Sequence, residues 1–386
     1  MVEGGGLENR FPVLRNGGSN PSPSVLCQPK ALAALLAFSL LAGLLPAQTR
    51  ELAPATAIRI SQTDALLLYA ADFAVAEDGV IFITDAKDIN IKLYDPGGKL
   101  LKVIGGRGLG PEEFEGPYLC DYQAPFLSVL DSPKFKVHIY ERKGKSDLVK
   151  VAEIPCMMCT SDVILSGKGV LVDAVAHDNG KKFFLTLRGF KDDVIKPLLP
   201  IERRYGYDSV SAYKANYNDL SMLTEQRGYL TISGKKAYFV FDVKPKVTAV
   251  DLDDLELVTF GGPSANYRQP RINMTIREAF FKPGKEDDLL RERNKVSYIT
   301  GILSDEDMVG VLFSNYDAPS ESWKLYLQRY DATGKFLSES LLRDAVNYGN
   351  RFSYFFQRES GFLYIMTEKY GDDATDDYRI LGYKLR

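Results

Sequence analysis

Side chains able to do chemistry are sparse in this chain. Only two histidines occur, His138 and His177. Metal-dependent hydrolysis or elimination needs several imidazoles or carboxylates converging on one ion, so this is a thin set. The cysteines are Cys27, Cys120, Cys156 and Cys159. Cys156 and Cys159 form a lone C-x-x-C. Zinc sites double such a pair or add histidines, and a redox pair needs a βαβ setting. These thiols therefore read as buried or loosely paired. Asp85, Asp131 and Asp173 fall at or near the ends of equivalent strands. A ring of them could offer calcium the oxygens it wants. The preferred reading is that each satisfies backbone N–H groups of a turn, as short polar side chains do. No cofactor and no metal are expected on that reading, with calcium on these aspartates as the alternative. Gly105-Gly106-Arg107-Gly108 is glycine-rich but opens no helix that could cradle a phosphate. The sequence has no G-x-S-x-G elbow and no Walker loop, so no catalytic residue is assigned.

Ligand contact has better candidates. Arg107 and Glu112 sit in a Gly/Pro-rich linker. Two long insertions break the strand rhythm. Residues 201–226 carry Tyr205, Tyr207, Tyr213 and Tyr217. Residues 262–295 carry Tyr267, Arg268 and Arg271, with a charged segment, Glu286 to Glu292, suited to a short helix. Tyrosine and arginine anchor interfaces, and tyrosine stacks on sugars. Long insertions usually gather on one face, either to bind or merely to cover it.

These residues need a frame, and composition says which kind. The chain has 386 residues, 22 Tyr and 21 Phe against one Trp. Tyr and Phe suit half-buried pleated surfaces, so strands are favoured over helices. The formal net charge is −3. That balance gives no footprint for nucleic acid or for an anionic membrane surface.

Strands recur in groups. Residues 71–75, 80–85, 89–94 and 99–104 form four strands of the kind that fill one propeller blade of roughly 35–45 residues. Further groups run over 126–151, 169–199, 229–260 and 296–342. A last group, 352–383, is one strand short. Thr56 to Ser61 alternates like a strand yet has no hairpin partner beside it. It can complete the last group as its outer strand and leave no open sheet edge. The expected fold is therefore an all-β, six-bladed propeller of four-stranded antiparallel blades over residues 51–386, closed by an N-terminal strand.

One hairpin appears twice. Tyr94-Asp95-Pro96-Gly97-Gly98-Lys99 is echoed by Tyr330-Asp331-Ala332-Thr333-Gly334-Lys335. The first copy is followed by Gly-x-Gly, then Phe114 and Pro117. This hairpin and linker resemble those of NHL-repeat propellers, and of exported bacterial six-bladed propellers akin to them. The match is specific from Tyr94 to Pro117; only the hairpin returns later. The resemblance implies a central channel lined by the innermost strands, with loops presenting a binding surface. It does not fix a reaction, since relatives include scaffolds, carbohydrate- or peptide-binding proteins, lyases and lactonases.

Residues 1–50 stand apart. The apolar run Ala31 to Leu45, preceded by Lys30 and followed by Pro46-Ala47-Gln48, looks like the core of a secretory signal cut after Ala47. It is too short and alanine-rich for a membrane span, and Cys27 lies on the wrong side of it for a lipid anchor. Gly17-Gly18-Ser19-Asn20-Pro21 resembles a translated transfer-RNA T-arm, which suggests a start placed too early, with the true one near Val25 or Leu26. A disordered natural extension is the alternative. The functional expectation is an exported, periplasmic or extracellular monomer. It would bind a peptide, a glycan or a partner protein, with no nucleic acid and no membrane span. The alternative is a lyase or lactonase with a divalent cation in the channel.

Overall fold

The computed structural model describes residues 50–63, 66–156, 163–167, 169–178, 181–191, 195–200, 228–241, 244–270, 276, 279, 282–350, 352–369 and 377–386. The signal-like segment, Tyr205, Tyr207, Tyr213, Tyr217, Arg271 and Cys159 lie outside these residues. So does the side chain of Asp173.

Six small sheets stand around an axis. Blade one holds β3 (Ala70–Val75), β4 (Ile81–Asp85), β5 (Asn90–Tyr94) and β6 (Leu100–Ile104). Blade two holds β7 (Pro117–Gln123), β8 (Phe126–Asp131), β9 (Lys136–Lys143) and β10 (Asp147–Pro155). Blade three holds β11 (Val163–Ser166), β12 (Gly169–Asp178), β13 (Lys181–Gly189) and β14 (Ile195–Pro200). Blade four holds β15 (Gly228–Ser233), β16 (Lys236–Phe241), β17 (Lys244–Asp251) and β18 (Leu257–Phe260). Blade five holds β19 (Tyr298–Ser304), β20 (Met308–Asp317), β21 (Ser322–Asp331) and β22 (Phe336–Asn347). Blade six holds β23 (Ser353–Gln357), β24 (Phe362–Lys369) and β25 (Asp377–Lys384), with β2 (Thr56–Arg59) as its outer strand. The pairing of β2 is antiparallel, Thr56 opposite Gly382 and Arg59 opposite Arg379. The orphan strand of the sequence thus closes the ring. Before it, β1 (Arg50–Leu52) runs parallel to β22 and gives blade five a fifth strand, which the strand rhythm does not foretell.

The first strand of every blade touches the first strand of the next: β3 meets β7, then β11, β15, β19 and β23, which returns to β3. The apolar cores lie between blades. One joins Phe73 and Phe82 of blade one to Tyr122 and Tyr140 of blade two and to Tyr378 and Ile380 of blade six. Others fill the gaps between blades two and three, three and four, four and five, and five and six. A strand in the middle of a blade is therefore covered on both faces. Strands β4 and β5 are buried along their whole length, whereas outer β6 exposes its three central residues. Each fully buried Phe or Ile here contributes roughly 1.5–3 kcal/mol.

The repeated hairpin turn makes the same carboxylate–backbone bonds in both copies. Asp95 Oδ1 accepts the N–H groups of Gly97 and Lys99, both at 2.9 Å. Asp331 Oδ1 accepts those of Thr333 at 2.9 Å and Lys335 at 3.0 Å. Gly98 and Gly334 take φ of +82° and +89°, which only glycine adopts without strain. Each turn abuts the outer strand of the preceding blade. A Cβ on Gly98 would stand 2.1 Å from Arg59 O, so Gly98→Ala would push the closing strand off blade one.

Two innermost strands depart from the sequence expectation. Blades two and three begin at β7 and β11, not at Phe126 and Gly169. The sequence of β7, PYLCDYQ, carries a bulge between Pro117 and Cys120 and so lacks a clean period of two. Strand β11 has only four residues. The charged segment forms α1 (Glu286–Arg293), with Glu286, Asp287 and Asp288 in its first turn and Arg291 and Arg293 in its last, matching the helix dipole.

Candidate functional site in the central channel

An inner strand of a propeller faces the axis with an unpaired edge, and such edges need partners. Here side chains supply them across blades. Asp72 Oδ2 accepts the Cys120 N–H at 3.0 Å, tying blade one to blade two. Asp121 Oδ2 accepts the Leu165 N–H at 2.7 Å, tying two to three. The hydroxyls of Thr231 and Ser304 lie 3.1 Å apart between blades four and five. The Tyr354 hydroxyl accepts from Ile302 N at 3.1 Å and donates to Ile302 O at 2.9 Å, joining six to five. Ser353 Oγ donates to Ala71 O at 3.2 Å and joins six to one.

Inside this ring lies a cavity of about 290 Å³. Its walls include Asp72, Asp121, Thr300, Arg358 and Glu368, with Tyr69, Tyr118, Tyr229, Tyr354 and Tyr378. Three inner strands are irregular at the residues that line it. The ladders shift between Ala70 and Asp72, between Pro117 and Cys120, and between Ile299 and Gly301. Bulges re-aim side chains, and Thr300 occupies the last of them. Its Oγ1 is buried with no hydrogen-bond partner.

The electrostatics are mixed. Burial pushes the Asp121 carboxyl above the usual carboxylate range; Glu359 adds to this, while Arg358 and the N–H groups of Leu165 and Tyr122 oppose it. Burial likewise pushes the Cys120 thiol well up, with Asp72 and Asp121 adding to it. Such a thiol is a poor nucleophile. The Arg358 guanidinium, at the turn after β23, makes no hydrogen bond or ion pair among the described residues. Tyr378 donates its hydroxyl to Glu368 Oε1 at 2.9 Å.

The residues singled out from sequence lie elsewhere. Arg107 and Glu112 belong to the linker on the flank of blade two, where Arg107 bridges to Phe114. Tyr267 is buried between blades four and five, its ring 5.4 Å from that of Phe313. The Arg268 Nη1 donates to Tyr316 O at 3.0 Å, and its backbone N–H donates to Ser297 Oγ. None of these four lines the cavity. Asp85 ends β4 and accepts the N–H groups of Leu68 at 2.8 Å and Tyr69 at 3.1 Å. Asp131 ends β8 and accepts those of Glu115 at 3.0 Å and Gly116 at 2.9 Å. Both hold the chain that leads into an inner strand. Asp173 lies inside β12, which continues to Asp178, so it does not end its strand. Among the described residues no three His, Cys, Asp or Glu side chains gather as a metal-ion set. Cys156 is buried and disulfide-bonded. Sequence reasoning missed Asp72, Asp121, Thr300 and Arg358. One signal was present: Ala71-Asp72-Phe73 and Cys120-Asp121-Tyr122 repeat a small–Asp–aromatic pattern.

No family model matches the chain. No curated protein matches its sequence. Among solved structures it resembles a DUF4221 family member from Bacteroides vulgatus, with TM-score 0.56, 9% identity, and coverage of 86% of this chain and 97% of the other. It also resembles a protein from Bacteroides fragilis named as exported, with TM-score 0.53, 13% identity, and coverage of 86% and 95%. Likeness at these identities establishes the six-bladed fold alone. No helix among the described residues is long and apolar enough to cross a membrane.

Proposed function

We propose that the chain is an exported binding propeller that receives a projecting group of its ligand, a peptide, a glycan or a partner protein, in the central channel. The observation that carries this is the convergence of ionisable groups from blades one, two and six, and an unpaired hydroxyl from blade five, on one cavity. A concave site with a few convergent polar groups is what small-group recognition requires. The NHL-like hairpin and linker and the fold likeness to a protein named as exported support the same reading. The disulfide at Cys156 suits an oxidising compartment. Probing peptide and glycan arrays with the wild type, Arg358→Ala and Asp72→Asn tests it. Hits lost in the channel variants support the reading. Hits that survive both variants place recognition elsewhere and overturn it.

A further inference from the structure

Resting on that reading, we infer that the channel takes a cationic group, a primary ammonium or a guanidinium, held between the carboxylates of blades one and two. Charge count is the first reason. Among the described residues, Asp72, Asp121 and Glu368 line the cavity against one lining cation, Arg358. Geometry is the second. Asp72 and Asp121 each spend Oδ2 on a backbone N–H of the next blade, which fixes both carboxylates in the cavity wall. The third is independent of charge. Thr300 is 2% exposed, lines the same cavity, and its Oγ1 has no partner. A buried hydroxyl without a partner costs roughly 1–3 kcal/mol. An ammonium or guanidinium N–H donated to it would remove that cost.

An organic cation fits the donor set better than a bare metal ion. Calcium demands six or more oxygens drawn tightly together. Here no three ligating side chains gather among the described residues. An extended cation can span separated carboxylates and needs only one or two at a time. Proton linkage follows. The groups that face Asp121 are Arg358 and Glu359 of the turn after β23, and the neighbouring Cys120 thiol. Burial holds the Asp121 carboxyl up, and an arriving cation draws it down. Binding therefore releases protons, and affinity rises with pH as the unliganded carboxyl ionises.

Three probes of equal length separate charge from shape: 1,6-diaminohexane, 1,6-hexanediol and adipate, titrated calorimetrically into the full chain. The expected result is saturable binding of the diamine alone. Asp121→Asn should weaken it about tenfold, and Arg358→Ala should strengthen it several-fold, as fits one charge added or removed at partly screened range. Thr300→Val should weaken it with little change in the unfolding midpoint. Heats measured in buffers of different ionisation enthalpy should show proton release. Acetyl-Gly-Lys-Gly-amide distinguishes the source: binding as tight as the diamine places the cation on a peptide, and weaker binding places it on a free amine. Adipate binding that Arg358→Ala abolishes would overturn the cationic class while leaving the channel reading intact. Calcium that displaces the diamine would overturn it in favour of a metal site. Failure of all three probes to bind would overturn it outright, with the array experiment then deciding the broader reading.

Discussion

Blades one and two solve one problem with different basic side chains. In each, an aspartate at the end of the second strand holds two backbone N–H groups of the chain that enters the inner strand. In each, a buried basic side chain follows seven residues later, Lys92 after Asp85 and His138 after Asp131. A tyrosine follows two further on, Tyr94 or Tyr140, its hydroxyl buried without a partner and its ionisation pushed up by burial. The pairs then diverge. Lys92 Nζ lies 2.7 Å from Asp85 Oδ2 and 2.9 Å from Asp88 Oδ2, with both Lys92 and Asp85 fully buried. His138 Nε2 lies 3.9 Å from Asp131 Oδ2, too far for a hydrogen bond, and has no partner. Blade two instead rings the imidazole with Lys150, Glu153 and the ring of Phe114, and sets Lys134 near Asp131 at 3.8 Å. The lesson is that the clamp is the carboxylate–backbone contact. The cation is essential only where it is the carboxylate's sole counter-charge within the core.

The sharpest way to break this comparison is to place methionine at positions 92 and 138 in turn. Lys92→Met leaves Asp85 buried and uncompensated and should cost about 3–5 kcal/mol in chemical denaturation. Asp131→Asn keeps one acceptor for two N–H groups and should cost about 1–3 kcal/mol. His138→Met should cost about 1 kcal/mol or less, since Asp131 retains both N–H groups and Lys134, at 3.8 Å. Equal losses at positions 92 and 138 would show that the two clamps depend alike on the side chain seven residues on.

The smallest effect is electrostatic. Lys136 holds the Glu153 carboxyl down to about 2, against burial and with help from Lys150. Burial works against ionisation of Asp131 also, but the N–H groups of Glu115 and Gly116 and the charge of Lys134 hold it below its usual range. In blade one Lys92, then Asn90, hold Asp88 down. Folded carboxylates that bind protons less readily than the unfolded chain make unfolding take up protons. Their contribution is therefore whole above a pH of about 4.5 and falls away toward about 2. Denaturation midpoints measured down this range should decline, and Glu153→Gln should shallow the decline without abolishing it. An unchanged slope would show that Glu153 contributes nothing to the difference between the blades.

The ring, its closing strand and the repeated turn were legible because each is local. Asp95 and Asp331 make their bonds within four residues, and Thr56–Ser61 was conspicuous by lacking a neighbour. Inner strands β7 and β11 were hidden because a bulge and a short length erase the period of two. The channel was hidden for a different reason. Asp72, Asp121, Thr300 and Arg358 meet only because four separate blades turn one strand each toward an axis, and no spacing along the chain records that meeting. Tyrosines and arginines in the insertions drew attention instead, since residue type is visible in a sequence and convergence is not.

The strand that closes blade six has an unusual place in time. Thr56–Arg59 can find no sheet until Asp377–Lys384 exists, some three hundred residues later. A chain emerging in order must hold this early strand in reserve until almost everything else is present. Contacts of such sequence separation slow folding, because the long intervening loop must close before they reward it. The delay has a consequence for order: the circle cannot lock while its final strands are still missing.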